Sequence, residues 1–417
     1  MSGAGGKVMV LAALDTKGDE ARFICDVLHD LGAEPLLVNI GVLGDTAVTT
    51  GISRDEVLAK GGSSRDELLA QGDRGSVVDA LIGGVKILAR DLFEAGTLGG
   101  VLAIGGSGGT SIGTAAMREL PLGVPKVMVS TIASGDVQPY VGMKDICMIN
   151  SVVDFSGVNA ISEPILRSAC GAISGMMRAR TLPRGARNTK PLVAASMFGV
   201  TTPLVEKVQR ILLVSGYELV PFHATGIGGK TMEALISEGV FAGVLDLTTT
   251  EWADEVVGGT LSAGPERLEA AVKAGLPQVV APGALDMVNF VGPAGLPEKF
   301  QGRTIHRHNE NVVLLRTTAD ECTEIGRRIA EKLNESTGPT VFLFPQHGVS
   351  ALDVQGSVFH DPEANAALLG ALKRHLKPNV RLEVIDAHIN DDRFAQACCQ
   401  TLLSYLPSRI PYAQSHP

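Results

Sequence analysis

Gly100-Val101-Leu102-Ala103-Ile104-Gly105-Gly106-Ser107-Gly108-Gly109-Thr110 is the stretch on whose reading the fold depends. Its first half is short, apolar and free of charge, the mark of a strand covered on both faces. Its second half is a glycine-rich turn leading into the helical run Ser111-Ile112-Gly113-Thr114-Ala115-Ala116-Met117. A strand that passes through glycines into a helix leaves backbone N–H groups unshielded at the positive helix end, and these attract an anion. Glycine also lets backbone approach a ligand closely, while Ser107, Thr110 and Ser111 add hydroxyl donors. The spacing predicts a phosphate cradle at Gly105, Gly106, Ser107, Gly108, Gly109 and Thr110, against the plainer alternative of a tight connection that binds nothing. No Lys-Ser/Thr pair closes the turn as in a Walker loop, and the G-x-G-x-x-G spacing is not clean, so the pattern specifies an anion without specifying a dinucleotide.

Upstream, Val8-Met9-Val10-Leu11-Ala12-Ala13-Leu14 is another continuous apolar run, read as the first central strand, with Ala21 to Leu31 helical by period and Gly32 as its stop. Ligands of open α/β sheets collect at the carboxyl ends of strands, which makes Asp15, Thr16 and Lys17 candidates beside the cradle; a capped turn with solvated charge is the competing reading. Pro35 to Ile40 is the next strand. Ser53-Arg54-Asp55-Glu56 and Ser64-Arg65-Asp66-Glu67 each begin a serine-capped helical turn, and the pair is read as an exposed lid. Leu81 to Glu94 forms an amphipathic helix. Downstream, Pro125 to Ser130 makes a strand with Thr131 and Ser134, further cofactor-binding candidates, at its carboxyl end. Ile146 to Asn150 makes a fifth, and Ala160 to Ala179 a closing helix. A basic segment with Arg178, Arg180, Arg184, Arg187 and Lys190, interleaved with Pro183 and Pro191, then sets a boundary, giving domains 1–185 and 186–417.

The second half repeats this plan. Leu192 to Ser196 echoes the opening strand, Tyr217 to Phe222 the second, and Leu235 to Leu245 resembles Leu92 to Leu102. The fold class that follows is α/β: two Rossmann-like three-layer domains with mostly parallel sheets, the second extended from Val341 onward. Thr225-Gly226-Ile227-Gly228-Gly229-Lys230 is a second glycine-rich turn before a helix, so Thr225, Gly226, Gly228, Gly229 and Lys230 are substrate-binding candidates. Leu245-Asp246-Leu247-Thr248-Thr249-Thr250-Glu251 stands where the first half has its cradle, with side-chain hydroxyls and carboxylates in place of bare backbone. A cleft between the halves would then join anion-binding amides to acid/base groups such as Asp246. Arg303, His306, His308 and the substrate-binding candidate Asn309 form a basic, imidazole-rich stretch in which the two histidines share one side of an extended chain. They supply a pair where a metal needs more convergent ligands, and no metal is assigned. Ser350, His347 and Asp353 contain the ingredients of a triad but lie too close in sequence for its geometry; Ser350 is read as a ligand contact and Asp353, with Arg303 and His308, as a catalytic candidate.

Composition narrows the classes. The chain has 417 residues, 19% of them charged, 45% hydrophobic and 49 of them glycine, with a formal net charge of -9. That balance suits a compact two-domain α/β protein and gives no global attraction to nucleic acid or an anionic membrane. No apolar run approaches the ~20 residues of a membrane-spanning helix. Six cysteines without metal spacing read as reduced thiols in a cytoplasmic protein.

Taken together, Leu14-Asp15-Thr16-Lys17-Gly18, the Gly105–Thr110 loop, Thr225-Gly226-Ile227-Gly228-Gly229, His308-Asn309 and Gly348-Val349-Ser350-Ala351-Leu352-Asp353 give a specific resemblance over almost the whole chain. It is to the family of bacterial, fungal and plant proteins related to the amino-terminal ATP-binding half of the tomato mosaic virus resistance inhibitor. The resemblance implies two Rossmann-like domains, a homodimer and ATP bound through the first domain. The reading that follows is an ATP-binding protein, an ATP-dependent enzyme of small-molecule metabolism with magnesium as the natural companion of ATP. Its alternatives are a nucleotide-regulated interaction protein without turnover and a hydrolase or lyase acting on a carboxylated or phosphorylated small molecule.

Overall fold

The computed structural model describes residues 6–42, 44, 46–65, 68, 74–182, 190–292 and 296–407. The chain divides into two compact units, Met1–Arg187 and Asn188–Pro417.

In the first unit, β1 (Lys7–Ala12), β2 (Glu34–Asn39), β3 (Leu98–Gly105), β4 (Lys126–Ser130) and β5 (Cys147–Asn150) form an all-parallel sheet in the order β2-β1-β3-β4-β5. Side-chain alternation assigns the two faces. Val8, Val10, Leu102 and Ile104 pack with Ile24, Leu28, Leu166 and Ile173 of helices Gly18–Asp30 and Ser162–Thr181. Met9, Leu11, Val101 and Ala103 pack with Leu81, Val85, Ile112 and Ala116 of helices Arg74–Glu94 and Ser107–Arg118. Burial on both sides explains why β3 is buried at every position and reads as an apolar run without alternation.

The first serine-capped turn forms the helix Arg54–Lys60, with Glu56 N–H donating to Ser53 Oγ at 3.3 Å and Ser53 N–H to Glu56 at 2.7 Å. It is not an exposed lid: Arg54, Val57 and Leu58 are buried, the last two within the core of this face. Most of the second copy, Asp66 and Glu67 included, lies outside the described residues, as do Arg184 and Arg187 of the basic segment.

The second unit has the same winding. β6 (Leu192–Met197), β7 (Glu218–His223), β8 (Phe241–Thr248), β9 (Gln278–Gly283), β13 (Thr340–Pro345) and β14 (Val380–Ile385) form a parallel sheet in the order β14-β13-β9-β8-β6-β7. Between β9 and β13 the chain makes a small antiparallel sheet, order β10-β12-β11, from β10 (Met287–Val291), β11 (Ile305–Asn309) and β12 (Val312–Arg316). Thr318 and Glu321 form a capping box that opens the helix Ala319–Leu333. Among the described residues, no helix is long and apolar enough to cross a membrane, and no group of three or more His, Cys, Asp or Glu converges as a metal site.

Candidate functional site

In the first unit the strand order reverses direction between β1 and β3, so the loops leaving these strands diverge and open a crevice at their carboxyl ends. A cavity of about 730 Å3 lies there. Its walls include Asp15, Thr16 and Lys17 after β1, and Gly105, Gly106, Ser107, Gly108 and Gly109 after β3. The structure thus brings these two sets of sequence candidates together. Ile40 and Val42, together with Gly75, Val78 and Asp79 of helix Arg74–Glu94, complete the wall. These last three share one helix face by their spacing, but a helix read as starting at Leu81 hides them.

The glycines of the cradle have different tasks. A Cβ at Gly105 would lie 2.7 Å from Gly109 Cα, and one at Gly109 would lie 3.2 Å from the Ile104 carbonyl oxygen, so these two let helix and strand touch. A Cβ at Gly108 would meet no atom of the described residues within 4 Å. The helix Ser107–Arg118 has Gly106 as its N-cap and no capping side chain, which leaves its first N–H groups, at Ser107, Gly108 and Gly109, to solvent or a ligand. Thr110 does not face the cavity. Its buried hydroxyl donates to Gly106 O and pairs with Ser130 Oγ, each at 2.7 Å, fastening the turn to β4. Thr131 fastens the same turn by donating its N–H to Gly105 O at 3.2 Å, and Ser134 is exposed; neither lines the cavity. Asp15 accepts the Gly44 N–H at 3.1 Å, and Lys17 Nζ lies 5.9 Å from the centre of the Phe155 ring.

The second glycine-rich turn is occupied from within. Gly226 and Gly229 donate their N–H groups to Glu251 Oε1 at 2.7 and 3.1 Å, so a carboxylate of the chain itself sits at the N-terminus of helix Ile227–Ser237. A Cβ at Gly229 would lie 2.1 Å from Glu251 Oε2. Arg267 fixes that carboxylate, donating Nε to Glu251 Oε2 at 2.7 Å, and also grips Asp246 at 2.5 and 2.7 Å and Glu233 at 3.1 Å. Arg267, Asp246 and Glu251 are at most 2% exposed. Burial alone would lower the Arg267 pKa, but Asp246, Glu251 and Glu233 together hold it well above its ordinary value. Burial pushes the Glu233 carboxyl up, against the pull of Arg267. Asp246 also accepts from Ser196 Oγ at 2.6 Å, so this catalytic candidate is enclosed in an ionic knot. Of the remaining members of the turn, Gly228 would place a Cβ 1.8 Å from the His223 carbonyl oxygen, Thr225 bonds the same oxygen at 3.2 Å, and Lys230 is exposed.

The other candidates of this unit are dispersed. Arg303 is paired with Glu321 through two 2.7 Å bonds and donates to Arg316 O at 2.6 Å, which ties β12 to the following helix. His308 is exposed, at the register irregularity between Arg307 and Asn309, with its ring 6.5 Å from that of His306. Asn309 accepts the Asn311 N–H in the β11–β12 turn. Ser350, fully buried, donates to Asp286 at 2.7 Å, while His347 pairs with Asp386 at 2.7 Å; no triad forms. Asp353 accepts from Val349 N–H at 3.0 Å and from Asn365 Nδ2 at 2.6 Å. Burial raises the Asp286 pKa to about 7, with Arg316 opposing the rise and Asp353 adding to it. His360, 3.8 Å from Asp353, is the neighbour that the sequence pattern does not reveal.

The profile of the Uncharacterised protein family (UPF0261) N-terminal domain matches residues 6–182, and that of its C-terminal domain matches residues 190–406. A UPF0261 protein of Clostridium tetani is 47% identical over 401 residues, which is 96% of this chain and 99% of that one. One from Rhizobium meliloti is 44% identical over 393 residues, covering 94% and 97%. The ToMV resistance protein Tm-1 of Solanum lycopersicum is 45% identical over 315 residues, which is 74% of this chain but 42% of the tomato protein. A solved C2-type ketoreductase from a modular polyketide synthase aligns with 92% of this chain and 81% of its own at 16% identity and a TM-score of 0.20, too low to carry an argument. On the two profile matches and the near full-length relatives, the chain belongs to the UPF0261 family.

Proposed function

We propose that the first unit binds ATP, with its phosphates on the N–H groups of Ser107, Gly108 and Gly109, and that the protein is an ATP-dependent enzyme of small-molecule metabolism. The observation that carries this reading is the uncapped N-terminus of a twelve-residue helix opening into the cavity at the switch point of the sheet. The cavity, of about 730 Å3, lies within the range of small-molecule sites. Lys17 supplies a cation on the same wall, and Ile40, Val42, Val78 and Ile112 supply an apolar surface for a base. Asp15 and Asp79 are oxygen donors of the kind magnesium takes, so the magnesium complex of ATP is the form that suits this wall. The free cysteines agree with a reducing compartment, and we read the protein as a cytoplasmic homodimer.

Calorimetric titration with ATP, with and without magnesium, tests the central claim. Saturable binding is expected, and no heat at millimolar nucleotide in either condition removes the reading. Sedimentation showing only monomer at micromolar protein removes the dimer.

A further inference from the structure

The second unit holds a cavity of about 560 Å3 beyond the end of β13, remote in sequence from the cradle and unused by the nucleotide reading. Its polar wall is made of Gln346, His347, Gln355, His360 and Asn365, and its apolar part includes Phe344 and Leu369. His360 Nδ1 lies 3.8 Å from Asp353 Oδ1. Asp353 is fully buried and is held by Val349 and Asn365 through its other oxygen, and Oδ1 has no hydrogen-bond partner. The carboxylate therefore turns an open acceptor toward the Nδ1 edge of the imidazole, at a separation longer than a hydrogen bond. Half-exposed His347 is held directly by Asp386, whose Oδ1 lies 2.7 Å from its Nε2.

Among the described residues, no lysine or arginine lines this cavity, which counts against a phosphate or carboxylate guest. Amides and imidazoles offer several hydrogen-bonding groups side by side, the complement of hydroxyl groups, which both donate and accept. The apolar part offers a surface to C–H groups. We propose that this cavity is a second ligand site, for a small uncharged polyhydroxylated molecule of the polyol or sugar class, with His360 hydrogen-bonding a ligand hydroxyl and Asp353 as its positioning residue.

Saturation-transfer NMR on the full chain tests this, with glycerol, myo-inositol and glucose as probes and malonate and inorganic phosphate as charged controls. A saturable signal from at least one of the three probes is expected. His360→Gln, at a side chain one-third exposed, should weaken that binding about tenfold, the factor for about 1.4 kcal/mol lost. Ala366→Trp, at an exposed lining position, should abolish it by filling the space, with the melting temperature of both variants recorded to show that they fold. Silence from all three probes overturns the proposal, as does signal from malonate or phosphate alone. Binding undiminished in both folded variants overturns it too. ATP binding measured on the same samples reports separately on the first unit.

Discussion

Gly108 and Ser107 distinguish a working cradle from a merely structural turn. If backbone N–H groups hold the phosphates, a side chain projecting into the space above Gly108 excludes them, because no atom of the described residues already claims that space. Gly108→Val should therefore abolish ATP binding in calorimetry while the protein still melts cooperatively. Ser107→Ala should cost only about 0.5–1.5 kcal/mol of binding, the value of one net hydrogen bond. Gly109→Val is the poorer test, since its Cβ would press on Ile104. Asp286 gives a prediction of another kind. Burial raises its pKa to about 7, above the ~3.9 of an unfolded aspartate. Its contribution to stability is thus complete below about pH 4 and lost as pH rises through 7. Asp286→Asn should leave the denaturation midpoint near that of the parent at pH 4 and raise it at pH 8. An equal shift at both values would show that the acid's titration is not the cause. The cradle glycines are legible in the sequence because a local turn and a helix end demand them. The Asp353–His360 pair is not, because the loop between its members sets the distance and no periodicity reports it.

At the scale of elements, two helix N-termini that look alike in sequence have opposite fates. The Ser107–Arg118 helix begins uncapped, whereas the Ile227–Ser237 helix receives Glu251 from the end of β8 and is sealed by Arg267. Both turns show the same glycine signature, and the residues that fill the second lie between 22 and 41 positions away. Nothing in Gly264-Pro265-Glu266-Arg267 singles out Arg267, and only the packing of Glu233, Asp246 and Glu251 around it reveals a buried ion. Removing it would leave three carboxylates with no counter-charge. Arg267→Leu should destabilise the protein by about 3–5 kcal/mol in urea unfolding at pH 7, the usual cost of breaking a buried pair. Arg327→Ala, at a helix surface where the guanidinium pairs with Glu324 and Glu331, should have no measurable effect. Comparable losses in the two variants would show that the knot is no stronger than a surface pair. The parallel strands themselves are legible, being covered on both faces and therefore apolar throughout. The antiparallel β10-β12-β11 insertion is less so, since the short and polar β11 carries no apolar run.

The molecule as a whole joins two units whose apolar cores are composed of separate residues: Met9, Leu11 and their neighbours in one, Val193, Leu343 and theirs in the other. Each parallel sheet is covered by helices drawn from its own unit. Fragments 6–182 and 190–406 should accordingly fold separately, each with a cooperative melt and dispersed amide resonances. A collapsed, non-cooperative fragment would show that one core needs the other. Duplicated architecture ordinarily suggests duplicated capacity, and the Glu251 carboxylate argues otherwise. A side chain tethered beside two amides competes at an effective concentration that no dissolved anion approaches, so the second turn is saturated before any guest arrives. On the nucleotide reading, the titration endpoint should therefore fall at a single equivalent of ATP per chain, with one inflexion and no weaker phase. The second copy is a socket wired shut, and counting bound molecules reads that wiring directly.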